Sequence, residues 1–170
     1  MRKLLAVAIV LASPLARAGV DGVFPRGIAG AEWNSSLAAL QRLHPEGFLN
    51  PIASSAIPYL FVVPGPHKEL LLHVPIKAVS YAFDSAGRLR VVYVQIDASD
   101  PDAALYDLAE ALGEDYITED VKKGRNYQWK PGATTLARMQ IARTPPRLWI
   151  QLILTNVADK TVVSELERCD

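Results

Sequence analysis

The sequence predicts an α+β fold in which an antiparallel sheet of about six to seven strands is covered on one face by two or three short helices. Two observations lead to this prediction. Residues 78–96 have a strong hairpin pattern, and the segments 35–43 and 100–112 contain leucines that recur at helical spacing. Helices of this kind bury their apolar face against one side of a sheet.

The first 18 residues have the three parts of a secretory signal peptide. Two basic residues precede the apolar run 4–12, and a small residue at Ala18 is typical of a cleavage site. The run is too short to span a bilayer, which needs about 20 apolar residues. We therefore expect a signal peptide over residues 1–18, a single mature domain over residues 19–170, and a periplasmic or secreted protein.

Cys169 is the only cysteine of the chain. A bacterial lipoprotein carries its lipid on a cysteine directly after the cleavage site, so the sequence predicts no membrane anchor. An odd exported cysteine leaves open a Cys169-linked dimer as well as a monomer. Without the signal peptide the chain has 15 basic and 18 acidic side chains, a balance that argues against nucleic-acid binding.

The segment 35–43 is predicted to form the first helix. Asn34 and Ser36 offer side-chain oxygens to its first free N–H groups, and three leucines form an apolar face. The proline-rich stretch 45–58 that follows is predicted to be a loop.

Strands are predicted to follow in quick succession. The apolar runs 59–63 and 70–74 are bounded by prolines, so we expect them at a sheet edge, where a missing N–H costs least. The hairpin pairs 79–83 with 89–94 across the turn 84–87, because aspartate favours opening a turn and glycine tolerates the positive φ that closes it.

Asp100 and Pro101 are predicted to begin a second helix that ends at Gly113. Three further strands and a terminal helix are predicted at 127–130, 134–142, 147–154 and 158–168. Each half of the chain therefore has the same order, a helix and then strands, which is typical of two α-β-β-β half-repeats.

The ionisable residues form no recognisable site. His67 and His73 are six positions apart, a spacing that no helical or hairpin metal motif uses, and His44 fits the C-terminus of a helix. The acidic run 97–102 does not match a calcium loop, and capping of the second helix explains Asp100. We predict no catalytic residue, no metal ligand and no cofactor.

Aromatic side chains are a further candidate for function, since tryptophan often anchors interfaces. Trp33 and Trp129 occur one in each half of the chain. Trp149 lies amid Leu148, Ile150 and Leu152, so we predict that it belongs to the core.

Two stretches of the chain are similar to a known family: residues 33–37 with Leu40, and residues 81–89 followed by Val91 and Val92, together under a fifth of the chain. They resemble small envelope modules of the SmpA/OmlA (BamE) type and the related β-lactamase-inhibitor-protein fold. In that fold short helices precede a curved antiparallel sheet. The resemblance implies an envelope protein that binds other proteins. It implies no functional residue, and the N-terminal lipid-bearing cysteine typical of SmpA-like proteins is absent from this sequence.

Two functions remain open from the sequence. The first is a non-catalytic exported domain that binds a protein or peptide through a sheet face or edge, with 59–63 and 70–74 as the expected edge. The alternative is an exported hydrolase or small-ligand-binding protein whose site is assembled from dispersed residues. The residues available for such a site are His67, His73, Asp84 and Asp97.

Overall fold

The computed structural model describes residues 19–28, 30–51, 58–65, 74–144 and 147–157. The helices in these ranges are α1 (Gly19–Val23), α2 (Leu37–Leu43) and α3 (Pro101–Leu112). The strands are β1 (Gly27–Ile28), β2 (Ala31–Glu32), β3 (Phe48–Pro51), β4 (Tyr59–Pro64), β5 (Ile76–Phe83), β6 (Leu89–Ile96), β7 (Tyr116–Val121), β8 (Gly124–Trp129), β9 (Thr135–Thr144) and β10 (Arg147–Asn156).

The main sheet is antiparallel and has eight strands in the order β3-β4-β5-β6-β10-β9-β8-β7. Each half of the chain contributes four consecutive strands, and the halves join where β6 pairs with β10. β1 and β2 form a separate two-stranded ribbon. The predicted α+β class with an antiparallel sheet is confirmed, but the sheet has eight strands rather than six to seven, because it includes β3 and β7, which the sequence pattern did not predict.

β5 and β6 form the predicted hairpin. The carboxylate of Asp84 accepts hydrogen bonds from the backbone N–H groups of Ala86 and Arg88, at 3.0 and 2.9 Å. Gly87 has a φ of 72°, which a residue without Cβ adopts at no steric cost. The local turn chemistry therefore sets where the two strands begin and end.

The helix ends also follow from local chemistry. Asp100 caps α3 by accepting from the backbone N–H groups of Asp102 and Ala103, and Gly113 ends this helix with a φ of 96°. Ser36 caps α2 through the N–H of Ala39. The predicted boundaries of both helices hold to within two residues.

Two strands of the main sheet, the short strands β1 and β2, and the helix α1 were not predicted. β3 lies inside the predicted loop 45–58, and β7 follows α3 in a stretch without an apolar pattern. Both are edge strands whose side chains are largely exposed, so they lack the alternation that marks a half-buried strand. α1 begins at Gly19, in a segment expected to be irregular.

The prediction that 59–63 lies at a sheet edge is wrong. β4 covers this run and pairs with β3 on one side and β5 on the other, so the described edges are β3 and β7. Proline is tolerated here because Pro58 precedes the strand and Pro64 is its last residue. Neither position interrupts the middle of the hydrogen-bond ladder.

The core lies between one face of the sheet and the helices. Leu40 of α2 and Leu108 of α3 are buried in the same apolar cluster as Tyr81 of β5 and Leu152 of β10. Both helices therefore cover the same side of the sheet. Trp129 is also fully buried there, and its Nε1–H donates to the carbonyl of Gly113 at 2.8 Å.

Several predictions fall outside the described residues. They concern the signal peptide 1–18, the terminal helix 158–168, His67, His73 and a dimer through Cys169. Of the predicted strand 70–74 only Val74 is described, and it lies outside any strand. Among the described residues, no helix is both long and apolar enough to cross a membrane.

Candidate binding face

The face of the main sheet opposite the helices crosses all eight strands, and we call it the open face. Side chains alternate between the two faces of a strand, so the residues between the core positions lie here. In β6, for example, Val92 and Val94 belong to the core, while Val91, Tyr93 and Gln95 lie on the open face. None of the described helices covers this side.

A central row of eight residues in register crosses the whole open face, with one residue from each strand. In sheet order it consists of Phe48, Val62, Ser80, Tyr93, Ile153, Arg138, Gln128 and Ile117. Both ends of the row are large apolar side chains in water, since Phe48 is 53% and Ile117 67% exposed. Such residues at the margins of a face are typical of a surface that a partner covers.

Beside the central row lies a row of four amide side chains, which we call the amide row. Gln95, Gln151, Gln140 and Asn126 are register partners across β6, β10, β9 and β8. Each amide can both donate and accept hydrogen bonds. Asn126 is 3% exposed, and its Oδ1 has no hydrogen-bond partner, so the row includes an unsatisfied acceptor.

Trp149 borders the amide row and is not part of the core, contrary to the prediction. It is 45% exposed, and its Nε1–H donates to Gln151 Oε1 at 3.4 Å. The prediction failed because residues 148–150 are apolar at successive positions, which hides the alternation of the strand. Ile150 and Leu152 face the core, and Trp149 between Leu148 and Ile150 faces the other way.

The open face carries little charge. Of the residues in the central and amide rows only Arg138 is ionisable at neutral pH, and it donates to Gln128 Oε1 at 3.0 Å. At the edge strand β7, Glu119 continues the amide row. The face therefore combines apolar, aromatic and amide groups, the composition that a protein interface favours over a nucleic-acid site.

The predicted alternative site does not form from the residues that the structure describes. Asp84 lies in the turn before β6 and Asp97 follows the other end of this strand, so the two carboxylates are separated by the strand's whole length. The carboxylate of Asp84 is held by Arg90 at 2.8 Å and Arg88 at 3.1 Å, which is a structural role. His67 and His73 lie outside the described ranges.

One arrangement with catalytic geometry was missed by sequence reasoning. His44, at the C-terminus of α2, lies between Glu46 and Tyr81. Its Nδ1 is 3.4 Å from Glu46 Oε1, and its Nε2 is 3.4 Å from the hydroxyl of Tyr81. A carboxylate, an imidazole and a hydroxyl in line form the pattern of an activated nucleophile.

The chemistry of Tyr81 argues against that role. The side chain is 1% exposed, so no substrate reaches its hydroxyl. Burial, and to a smaller degree the charge of Glu46, raises the pKa of Tyr81 to about 12, whereas a nucleophile needs a lowered pKa. The three residues therefore fix α2 against β5, and the rings of His44 and Tyr81 stack at 5.8 Å.

This pKa predicts how stability responds to alkali. Because the folded state keeps Tyr81 neutral to a higher pH than the unfolded chain, its contribution of at most about 3 kcal/mol is present below pH 10 and is lost as pH rises through 12. An absorbance titration of the tyrosines should show one late phenolate, and Tyr81→Phe should remove it. Ionisation of all tyrosines before the fold is lost would contradict the prediction.

Two cavities border the helices without forming a site. One, of about 290 Å³, includes Arg125, but this guanidinium is paired with Asp120 at 2.6 Å. The other, of about 310 Å³, lies beside Gly19 and Asp21. In the described ranges no group of three or more His, Cys, Asp or Glu side chains could hold a metal ion.

Comparisons of the chain with models of known protein families, with curated proteins and with solved structures found no match.

Proposed function

We propose that this protein is an exported, non-catalytic domain of the cell envelope that binds a partner protein through the open face. The observation that carries the proposal is the uninterrupted, nearly uncharged row that crosses all eight strands and ends in exposed Phe48 and Ile117. A partner that removes these side chains from water gains roughly 25 cal/mol for each Å² of apolar surface. The partner is a folded protein whose matching surface is apolar and rich in hydrogen-bonding groups.

Export rests on the signal peptide that the sequence predicts, and the fold is compatible with a cut before Gly19. Val20, the second residue after this position, is 4% exposed, and Phe24 is 2% exposed. Asp21 accepts a hydrogen bond from the backbone N–H of Ala133. The folded chain is therefore fixed in place almost from the proposed mature N-terminus.

The resemblance to SmpA/OmlA-type and β-lactamase-inhibitor-protein-like modules supports the same class of function. It suggests a curved antiparallel sheet that acts by contact with another protein. The proposed half-repeats agree with this, because α2 and α3 each precede four strands of one continuous sheet.

Site-specific photocrosslinking in intact cells tests the proposal. A photoreactive phenylalanine analogue is placed at Trp149 or at Gln140, both on the open face, and at Tyr106 as the control. Tyr106 is 72% exposed on α3, on the opposite side of the molecule, so the control is more accessible than either test position and lies on the other face.

We expect a discrete crosslinked product from positions 149 and 140 and none from position 106. Trp149→Ala should weaken the crosslink at position 140 at least tenfold, because a buried interface tryptophan commonly contributes 2 kcal/mol or more, about a 30-fold change in affinity. Products of equal yield at position 106, or no product from either open-face position, would refute binding through this face.

A further inference from the structure

Of the two described edges of the main sheet, β7 is better suited to pair with a further strand. It has a neighbour only on one side, where it pairs with β8. Residues 117–120 are exposed, and Ile117 is 67% exposed. The other edge, β3, has four residues and ends in Pro51, which has no N–H to donate. An uncovered edge such as β7 is a template for a strand of another chain.

The pairing of β7 with β8 shows which backbone groups point away from the sheet. The N–H of Lys130 donates to the carbonyl of Asp115 at 3.3 Å, so Asp115 belongs to a hydrogen-bonded pair. In an antiparallel sheet such pairs alternate with pairs that exchange no hydrogen bonds. Thr118 and Asp120 fall in the second kind of pair. Their backbone N–H and C=O groups therefore point outwards from the edge.

The charges at the two ends of β7 match those of a second copy in antiparallel orientation. Glu114 and Asp115 precede the strand, Lys122 and Lys123 follow it, and all four are exposed. Antiparallel pairing of two copies places the acidic end of one strand beside the basic end of the other, at both ends of the contact. Parallel pairing would place like charges together. The distribution of charge therefore favours the antiparallel arrangement.

The charges also select the register. A two-fold axis at Ile117 would set Asp115 opposite Glu119 of the second copy, and an axis at Glu119 would set the two Glu119 side chains opposite each other. Like charges directly opposite each other are destabilising. An axis at Thr118 avoids both contacts, because it sets Glu119 opposite Ile117.

We infer that this chain forms a symmetric dimer through β7, with the two strands antiparallel and Thr118 at the two-fold axis. The outward backbone groups then satisfy one another. The two Thr118 residues exchange N–H···O hydrogen bonds, and the N–H of Asp120 donates to the carbonyl of Tyr116 of the second copy. The carboxylate of Asp120 adds little repulsion, because Arg125 pairs with it at 2.6 Å.

The dimer is weak and reversible. β7 has six residues, which span about 20 Å, so one strand from each copy buries less than the roughly 1,200 Å² of a standard interface. We expect a dissociation constant between about 10 µM and 1 mM.

The dimer goes beyond the proposed function, and one consequence of it rests on that function. The two-fold axis is perpendicular to the sheet, so the open faces of both copies lie on the same side. Ile117, at the margin of the open face in one copy, lies near the centre of the joined face. The dimer therefore presents two partner-binding faces side by side.

Sedimentation velocity tests the dimer without any partner. The full chain is purified from cells that export it and is kept reduced, so that Cys169 forms no disulfide. We expect the mean mass to rise from one chain at about 10 µM towards two chains at about 1 mM. A chain that stays monomeric at every concentration overturns the inference and leaves this edge to a strand of another protein.

Substitutions at the axis separate edge pairing from other contacts. Thr118→Pro should weaken association about tenfold or more, because it removes an outward N–H and leaves the hydrogen bonds to β8 in place. Thr118→Val keeps the N–H and is the matched control, which should dimerise like the unmodified chain. Thermal denaturation checks that both variants fold. Association that Thr118→Pro leaves unchanged overturns the inference.

A charge exchange tests the orientation, and its result does not depend on the folding of one variant. Lys122→Glu alone and Glu114→Lys alone should each weaken the dimer about three- to tenfold, because like charges then meet at both ends of the contact. An equimolar mixture of the two variants should recover dimers, since each mixed pair restores opposite charges at both ends. A mixture that associates no better than the single variants contradicts the antiparallel arrangement.

Disulfide formation identifies the edge. In a chain with Cys169→Ser, Thr118→Cys should form an intermolecular disulfide on mild oxidation, because Cα atoms that face each other in a hydrogen-bonded pair are about 5.5 Å apart. Asn50→Cys, exposed on β3, is the control. Equal disulfide yields from the two positions would refute pairing through β7. If the dimer behaves as expected and no photocrosslink forms from Gln140 or Trp149, the dimer stands and the proposed partner binding fails.

Discussion

Replacing Arg90 with methionine is expected to lower the free energy of unfolding by about 3 kcal/mol. The guanidinium is 3% exposed and bridges two parts of the chain, donating to the Asp84 carboxylate at 2.8 Å and to Asn34 Oδ1 at 2.8 Å. Removal of one partner from a buried ion pair costs roughly 3–5 kcal/mol, and here the remaining Asp84 carboxylate is partly exposed, with 16% of its side-chain surface in water. Arg88 still contacts Asp84, which places the expected loss at the lower end.

Urea denaturation of matched variants measures this loss. Arg88→Met is the control, because Arg88 is half exposed and contacts the same carboxylate, and it should cost no more than about 1 kcal/mol. Equal losses of unfolding free energy in the two variants would contradict the prediction that the burial of Arg90 makes its loss the larger one.

The same pair predicts a response to acid. Burial raises the pKa of Asp84, but the hydrogen bonds from the Arg88 backbone and the Arg90 side chain outweigh it and hold the pKa below its usual range. A lowered pKa in the folded state adds stability above the unfolded value, and this stability is lost as pH falls through the folded value. The acid midpoint of unfolding should therefore rise in Arg90→Met.

The same substitution at two tryptophans of the sheet should lower the free energy of unfolding by very different amounts. Trp129→Ala is expected to cost about 3–5 kcal/mol, because it opens a cavity in the core and leaves the carbonyl of Gly113 without its donor. Trp149→Ala is expected to change stability by no more than about 0.5 kcal/mol, since the side chain is 45% exposed.

The two tryptophan variants separate an effect on stability from an effect on binding. Thermal denaturation measures stability, and the yield of the crosslink from position 140 measures binding. Trp149→Ala should keep the melting temperature and weaken the crosslink, as expected of an interface residue. A large fall in melting temperature for Trp149→Ala would instead assign this tryptophan to the core.

Sequence reasoning succeeded where the deciding chemistry is local. The hairpin depends on Asp84 and Gly87 within one turn, and α3 depends on Asp100 and Gly113 at its ends. Each of these residues acts on backbone within a few positions, so a single segment contains the necessary information.

The open face was only partly predictable, because register between distant strands creates it. The sequence indicated a sheet that binds through a face or an edge, but the partnership of Gln95 with Gln151 links positions 56 apart in the chain. Trp149 was assigned to the core because its neighbours on both sides are apolar, and only the pairing of β10 shows which face it occupies. β3 and β7 were missed because edge strands lack a buried face.

The position of β10 determines when this sheet can close. It is the last described strand of the chain, yet it lies between β6 and β9 and is the only strand that links the two four-stranded halves. The two halves of the sheet cannot pair until residues 147–156 have left the ribosome and, in an exported chain, crossed the membrane. Dependence on such distant pairing slows folding, and in an exported chain this delay would favour the unfolded form that a translocation channel accepts.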